Sequence, residues 1–146
     1  MSNQIEYLVS ACLCGIPCRY DGKSVKDERM EKLVRMQKAV PICPEILGGF
    51  SIPREPVEIA QGEGKNVLSG TGLVLSSNGK DMTFFLLRGA FASLSIAKKF
   101  KIKKAWMKKK SPSCGCGWIK RKGKLVRGDG VTVALFKQEG IRVVSR

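Results

Sequence analysis

The chain has 146 residues, of which 43% are apolar, and its 6 Pro and 16 Gly are scattered rather than pooled in a linker. We therefore predict one domain, residues 1–146, with a single core. A formal net charge of +15 favours anionic ligands such as phosphates or nucleic acid, and the lack of histidine excludes Ser-His-Asp and Cys-His nucleophilic mechanisms in their usual form.

The first residues, Met1–Tyr7, are polar and acidic where a secretory signal would be basic and then apolar. No apolar run approaches the roughly 20 residues needed to cross a bilayer. We therefore expect a cytoplasmic protein with no membrane partner. Structural disulfides are rare in a reducing cytosol, so 6 Cys in a chain of this length point to metal binding or thiolate chemistry.

The first half of the chain predicts two short buried strands on either side of an amphipathic helix. Tyr7–Cys12 and Ala39–Cys43 are apolar runs that end at a turn or at a proline. Between them, Val25–Lys38 has apolar residues at helical spacing among charges. After a loop, we expect short β-like pieces around Asn66–Val74 and a turn at Ser77–Gly79.

The second half continues the alternation of helix and strand. Asp81–Phe100 is the longest periodic segment, Lys103–Lys108 is expected to be a strand, and Ile141–Ser145 the last one. A helix ending near Lys137 would begin after Asp129, the expected cap residue. The apolar face of the main helix is expected to consist of Phe84, Leu87, Phe91, Leu94 and Ala97. This order predicts an α/β fold: a mainly parallel, open, Rossmann-like sheet flanked by helices, with a small hairpin or loop insertion.

The cysteines fall into three groups, each following a predicted strand: Cys12, Cys14 and Cys18; Cys43; and Cys114 with Cys116. The loops that follow parallel strands meet at one edge of the sheet, where ligands collect. Neither the Cys-x-x-Cys pairs of structural zinc sites nor the tight runs of ferredoxins occur. One thiolate from each loop would instead suit an iron–sulfur cluster with one iron left open as a Lewis acid. The alternative is that these cysteines are small buried apolar side chains.

Candidate acid–base groups stand beside these cysteines. Glu45 follows Cys43 by two residues and would carry protons if partly desolvated; the alternative is a surface or capping acid. Ser111 and Ser113 precede Cys114 and would orient a substrate or bond to a cluster sulfur; the alternative is turn formation.

Cationic residues near the same loops are candidates for binding anions. Arg19 and Lys110 adjoin Cys18 and Ser111 in the sequence. Arg54 and Glu55 lie between two prolines and are expected to form a structural ion pair with each other. Tryptophans are more often core or rim residues than platforms for stacked bases.

Seven motifs together carry a family resemblance. They are Ser10-Ala-Cys12-Leu-Cys14-Gly15, Cys18-Arg-Tyr-Asp-Gly22, Cys43-Pro-Glu45, Gly48-Gly49, Pro53-Arg-Glu-Pro56, Lys110-Ser-Pro-Ser-Cys114-Gly115 and Gly128-Asp-Gly-Val-Thr132. From about Ser10 to the C-terminus the chain resembles the domain-of-unknown-function 523 family, whose members include bacterial thiouracil desulfurases.

The resemblance implies a 4Fe-4S cluster held by Cys12, Cys43 and Cys114, working without net redox change. It also implies that Glu45 is the acid–base carboxylate and Ser111 the assisting serine. Cys18 matches a further family cysteine. Its role stays open: it could be a spare ligand, a sulfur relay or a structural thiol. Cys14 and Cys116 depart from the family pattern.

The function expected on this basis is removal of sulfur, as hydrogen sulfide, from a thiolated pyrimidine base or nucleotide such as thiouracil or thio-UMP. The positive charge favours a phosphorylated substrate or RNA. One alternative is a basic nucleic-acid-binding or redox-sensing module whose cysteines bind a metal. Another is a sulfur carrier with a persulfide on Cys18 or Cys114. The sequence leaves open whether the chain is a monomer or a homodimer.

Overall fold

The computed structural model describes residues 4–146, which form eight strands and five helices. The strands are β1 (Tyr7–Ser10), β2 (Ala39–Ile42), β3 (Val57–Gln61), β4 (Leu73–Ser76), β5 (Lys104–Met107), β6 (Trp118–Arg121), β7 (Lys124–Arg127) and β8 (Arg142–Ser145). The helices are α1 (Glu28–Arg35), α2 (Pro44–Leu47), α3 (Gly64–Ser69), α4 (Thr83–Lys99) and α5 (Val131–Gln138). No helix in this part of the chain is long and apolar enough to cross a bilayer.

A parallel sheet in the order β2-β1-β5-β8 forms the centre of the fold. Leu8 of β1 is in register with Val40 and Ala105 on either side. Successive residues of a strand point to opposite faces, so Leu8 joins the larger core under α4 and α5, while Val9 joins a smaller core under α1. The predicted α/β class with a mainly parallel sheet is confirmed.

Helix α4 confirms only part of its predicted core face: Leu94 and Ala97 are buried, and Leu87 packs against the core. Its fully buried residues include Leu86 and Ala90, whereas Phe84 and Phe91 are exposed, at 65% and 52%. The reason is the close approach of α2, because a Cβ on Gly89 would overlap the carbonyl oxygen of Pro44. Small residues of α4 therefore face α2, and this rotation of the helix leaves the two phenylalanines on its exposed side.

The middle of the chain also differs from the prediction. The first expected β-like piece is helix α3, which begins with a capping box between Glu63 and Asn66. The strand that pairs with β4 is instead β3, which precedes this helix. The β6–β7 hairpin was not predicted, because its polar, glycine-containing sequence lacks an alternating apolar pattern.

Asp129 does not cap α5. Gly130 is the N-cap residue, and the Asp129 carboxylate accepts hydrogen bonds from Gly117 N at 2.7 Å and Lys137 Nζ at 3.0 Å. The carboxylate therefore fastens the start of the β6–β7 hairpin to α5.

Candidate active site

A cavity of about 320 Å³ opens at the carboxyl edge of the parallel sheet. Strands β2 and β5 lie on opposite sides of β1 in the sheet, and ligands collect at such switch points because the loops that follow the strands diverge there. The volume is at the lower end of the range for small-molecule sites. The lining includes four cysteines and most of the predicted polar residues: Cys12, Cys18, Cys43, Cys114, Arg19, Glu45, Lys110 and Ser111.

Three of the cysteines pack together on one side of the cavity. Cys12 lies in a 3₁₀ turn, Ala11–Cys14, directly after β1, and Cys43 separates β2 from α2. Cys12 and Cys18 are buried with Ala11, and Cys43 packs against them. Cys43 Sγ lies 3.8 Å from the carbonyl oxygen of Cys18. The pairing of β1 with β2 brings these loops together.

Cys114 reaches the cavity from the loop after β5. Ser111 Oγ accepts hydrogen bonds from the backbone N–H groups of Ser113, at 3.0 Å, and Cys114, at 2.8 Å. The Ser113 carbonyl in turn accepts the Thr132 N–H at the start of α5. A Cβ on Gly130 would stand 2.5 Å from the Ser113 backbone, so a glycine is needed for this contact. The sheet and α5 together fix the third cysteine loop.

The surroundings of Cys18, Cys43 and Cys114 favour the protonated form of these three thiols when no metal is bound. A hydrogen bond with Cys12 raises the pKa of Cys18 to about 11, and burial raises the pKa of Cys114 to about 12. The pKa of Cys43 is also raised, first by its hydrogen bond with Cys18 and then by burial. A bound cation is what would favour the thiolate, because metal binding to cysteine releases the proton.

The cysteines that line the cavity fit an iron–sulfur cluster better than a single metal ion. Among residues 4–146, no three Cys, Asp or Glu side chains converge closely enough to hold one metal ion. A cluster spreads its ligands over several iron atoms, so the sulfurs need only face a shared space. Cys12, Cys43 and Cys114 line that space from three different loops, with Cys18 as a fourth thiol in the same wall.

Glu45 lies on α2 and is held by a buried arginine. Arg54 Nε donates to Glu45 Oε1 at 2.9 Å, and the two side chains are 7% and 15% exposed. The same guanidinium donates to the carbonyl oxygens of Cys18, at 3.0 Å, and Ser51, at 3.1 Å. It also lies 5.8 Å from the centre of the Phe50 ring. The arginine thus joins a cysteine loop to the carboxylate.

The expected Arg54–Glu55 ion pair was wrong. Adjacent residues on an extended loop point away from each other, and Arg54 turns inward to Glu45 while Glu55 accepts a hydrogen bond from the Ser77 hydroxyl. Local spacing does not predict a partner nine residues away, as Glu45 is from Arg54.

Cationic side chains surround the mouth of the cavity. Arg19, Lys108, Lys109, Lys110 and Lys120 all contribute to its lining, and the Arg19 guanidinium lies 6.0 Å from the centre of the Tyr20 ring. Burial lowers the pKa of Lys108. These charges would attract an anionic ligand.

The remaining candidates lie outside the cavity lining. Ser113 is buried behind the third loop, and its Oγ has no hydrogen-bond partner among the described residues. Cys14 packs on the smaller core, and burial raises its pKa to about 11. Cys116 packs against the larger core instead. Six free cysteines are present in the described chain.

Sequence reasoning missed several residues of the site. Lys120 reaches it from the unpredicted hairpin, and Tyr20 and Lys108 line it beside predicted residues. The run Lys108-Lys109-Lys110 directly before Ser111 is a signal that could have predicted Lys108 as a site residue. Of these three lysines, only Lys110 was predicted to bind anions. No pattern in the sequence indicated Arg54 as the partner of Glu45.

Comparison with known proteins adds to this geometry. The model of the 2-thiouracil desulfurase family matches residues 7–146. The chain belongs to the 2-thiouracil desulfurase family. A relative, the uncharacterized protein YbbK of Bacillus subtilis (strain 168), is 48% identical over 141 residues, which are 94% of this chain and 93% of YbbK. The family resemblance predicted from the motifs is confirmed.

A solved structure has the same fold. It is that of TudS, a 4Fe-4S-dependent thiouracil desulfidase, with a TM-score of 0.84 and 36% sequence identity. The match covers 98% of this chain and 91% of TudS. The α/β domain of the 2-thiouracil desulfurase family therefore extends over nearly the whole sequence.

Proposed function

We propose that the chain is a 4Fe-4S-dependent enzyme that replaces the sulfur of a thiolated uracil with oxygen. The observation that carries the proposal is the meeting of three cysteine loops and the Glu45 carboxylate in one cavity. Membership of the 2-thiouracil desulfurase family and the likeness to TudS support it. The net reaction consumes water and releases hydrogen sulfide, with no transfer of electrons.

Cys12, Cys43 and Cys114 would hold the cluster, one from each loop. When bound, the cluster would supply an open iron as a soft Lewis acid, which prefers sulfur and withdraws electron density from the carbon attached to it. Cys18 would remain an unligated thiol in contact with two of the ligands.

Glu45 would act as the acid–base group. Arg54 bonds to its Oε1 and holds the carboxylate in one orientation, which leaves Oε2 to take a proton from the attacking water. The same carboxyl would return a proton as the sulfur leaves. A fixed carboxylate is needed because proton transfer requires hydrogen-bond distance to the reacting atom.

Ser111 would donate a hydrogen bond to the substrate. Its oxygen already accepts two backbone N–H groups, which occupy both lone pairs. The hydroxyl proton is then its remaining hydrogen-bonding group, and the residue lines the cavity. A donor in this position would stabilise negative charge that develops on a ring atom of the pyrimidine.

The substrate would be anionic. Five cationic residues at the mouth favour a phosphorylated form such as thio-UMP over the free base. The free thiols and the cluster both favour a reducing compartment, so we propose that the reaction takes place in the cytoplasm.

The proposal is tested by anaerobic reconstitution with iron and sulfide, followed by iron analysis and by sulfide release from thiouracil and thio-UMP. We expect iron-loaded protein to release sulfide from both, with a lower KM for thio-UMP. Cys43→Ala should lose iron and turnover, whereas Cys14→Ala, a change outside the cavity lining, should keep both. Fully loaded protein that releases no sulfide from either compound would refute the proposed function.

A further inference from the structure

The β6–β7 hairpin has one face docked on the body of the protein. Ile119 is fully buried on this face. Arg121 reaches back to the β3 region, where its Nε donates to the Ile59 carbonyl at 2.8 Å. The backbone of Lys110 bridges to Ile119, which joins the hairpin to the lysine run beside the third cysteine loop. The hairpin is therefore a fixed wall beside the cavity mouth.

The opposite face of the hairpin points to solvent and carries a tryptophan among cations. Trp118 and Lys120 share this face because residues two apart on a strand point the same way, and they pair across the hairpin with Arg127 and Leu125. Trp118 is 47% exposed, and the Arg127 guanidinium lies 5.5 Å from the centre of its ring. An exposed indole under a guanidinium is a surface on which a flat base can stack.

This outer face is continuous with the cavity. Lys120 and Gly123 of the hairpin line the cavity mouth, next to Lys109 and Lys110. From there the cations extend along the hairpin to Arg127, which lies outside the lining of the 320 Å³ cavity. One phosphate needs only one or two of these charges, so the others fit further phosphates of the same molecule.

We propose that the outer face of the hairpin (Trp118, Lys120, Leu125 and Arg127) binds a single-stranded RNA segment whose thiolated uracil enters the cavity. This inference rests on the proposed function and extends its substrate from a nucleotide to a strand. A basic surface with aromatic side chains is the usual way to bind single strands, since the backbone contacts cations and the bases stack. RNA fits because uracil is an RNA base, and the net charge of +15 adds to the attraction.

The test measures binding of the whole protein to a fluorescein-labelled 12-mer of oligouridine by fluorescence anisotropy. We expect binding to weaken with salt, with a slope of log K against log salt of about −0.7 for each phosphate contacted. Trp118→Ala should weaken binding by about tenfold, as expected for loss of one stacked base. Arg127→Gln should make the slope of log K against log salt shallower by about 0.7, the contribution of one phosphate contact.

Phe84→Ala is the matched control. Phe84 is also exposed and has the Arg88 guanidinium 5.5 Å from its ring centre, but it lies on α4 and is not part of the cavity lining. Its substitution should leave oligouridine binding unchanged. Equal losses for Trp118→Ala and Phe84→Ala, or no loss for either, would overturn the proposal. So would anionic lipid vesicles that displace the oligouridine and depend equally on Trp118.

Sulfide release from free thiouracil is measured on the same preparations. Absence of release by wild-type protein would count against the proposed function, whereas oligouridine binding without dependence on Trp118 would count against the hairpin surface. The two failures therefore have different readouts.

Discussion

Arg54 Nε donates a hydrogen bond to Glu45 Oε1 at 2.9 Å, and both side chains are nearly buried. A buried ion pair need not add stability overall, but removal of one partner leaves the other charge without compensation. The pair therefore couples the position of the carboxylate to the integrity of the fold around it.

We expect Arg54→Met to lower the free energy of unfolding by about 3 kcal/mol, because it strands the Glu45 carboxylate in a poorly solvated site. The double variant Arg54→Met/Glu45→Gln should recover part of this loss, with a coupling energy of about 1 to 3 kcal/mol. Urea denaturation measures both. Glu55→Gln is the control and should change stability by less than about 0.5 kcal/mol. Strictly additive losses for the Arg54 and Glu45 changes would contradict the coupling.

Ser111→Ala and Ser113→Ala should have different effects on stability, although the two residues are only two positions apart. Ser111→Ala leaves two backbone N–H groups without their acceptor and should destabilise the protein by about 1 to 3 kcal/mol. Ser113→Ala removes a buried hydroxyl that has no partner within residues 4–146, so stability should stay the same or rise. Thermal unfolding measures the difference. Sulfide release should fall only for Ser111→Ala, and a larger loss for Ser113→Ala would show that the assignment is reversed.

The junction of α2 with α4 should be intolerant of a single methyl group. Gly89→Ala would place its Cβ against the Pro44 carbonyl, so α2 must move and take Cys43 and Glu45 with it. We expect a loss of about 1 to 3 kcal/mol, as for other overpacked sites, together with reduced iron content after reconstitution. Ala92→Gly on the same helix is the control and should cost about 0.5 to 1 kcal/mol with normal iron content. Normal iron content in both variants would mean that α2 does not transmit the change.

The ion pair between Asp27 and Arg146 should make stability depend on pH. Arg146 donates to Asp27 at 2.8 Å, and this hydrogen bond is the main reason that the pKa of Asp27 is lowered. A lowered pKa in the folded state contributes stability above the unfolded value of about 3.9, and the contribution is lost as pH falls through the folded value.

Asp27→Asn tests this pH dependence, because asparagine is an equally good N-cap for α1 but lacks the charge and the second carboxylate oxygen, which accepts from Arg146. The side chains are partly exposed, so we expect a cost of about 0.5 to 1 kcal/mol at pH 7. The cost should disappear below the pH at which the folded carboxylate is protonated. Denaturation at pH 7 and at successively lower pH measures it, with Glu28→Gln as the control, and a constant cost at every pH would rule out the ion pair as its cause.

The elements that sequence predicted well are those with strong periodicity or apolar runs. Strands β1, β2 and β5 are short buried runs, and their order gave the parallel sheet and the positions of the cysteines at its edge. The β6–β7 hairpin lacks such a pattern, since half of its ten residues are cationic. Its contacts with the rest of the protein come from Ile119 and from the hydrogen bonds of Arg121 with distant backbone. Those contacts are tertiary and cannot be read from local spacing.

The same distinction holds within the site. Cysteines after strands were predictable because the carboxyl ends of parallel strands meet at one edge. The partner of Glu45 was not, because Arg54 reaches it across a loop that turns back on the protein, and the adjacent Glu55 was the more obvious partner in the sequence. On α4, the prediction that Phe84 and Phe91 face the core was wrong, because the contact with α2 decides the rotation of the helix.

The strand order has a consequence for how the protein is made. Cys12 and Cys43 belong to loops of neighbouring strands that are synthesised early, whereas Cys114 comes after β5 and is held in position by α5. On the ribosome, the first two cysteine loops would therefore emerge and pair long before the third loop and its supporting helix have left the exit tunnel. Insertion of the proposed cluster would consequently be a late step that waits for nearly the complete polypeptide.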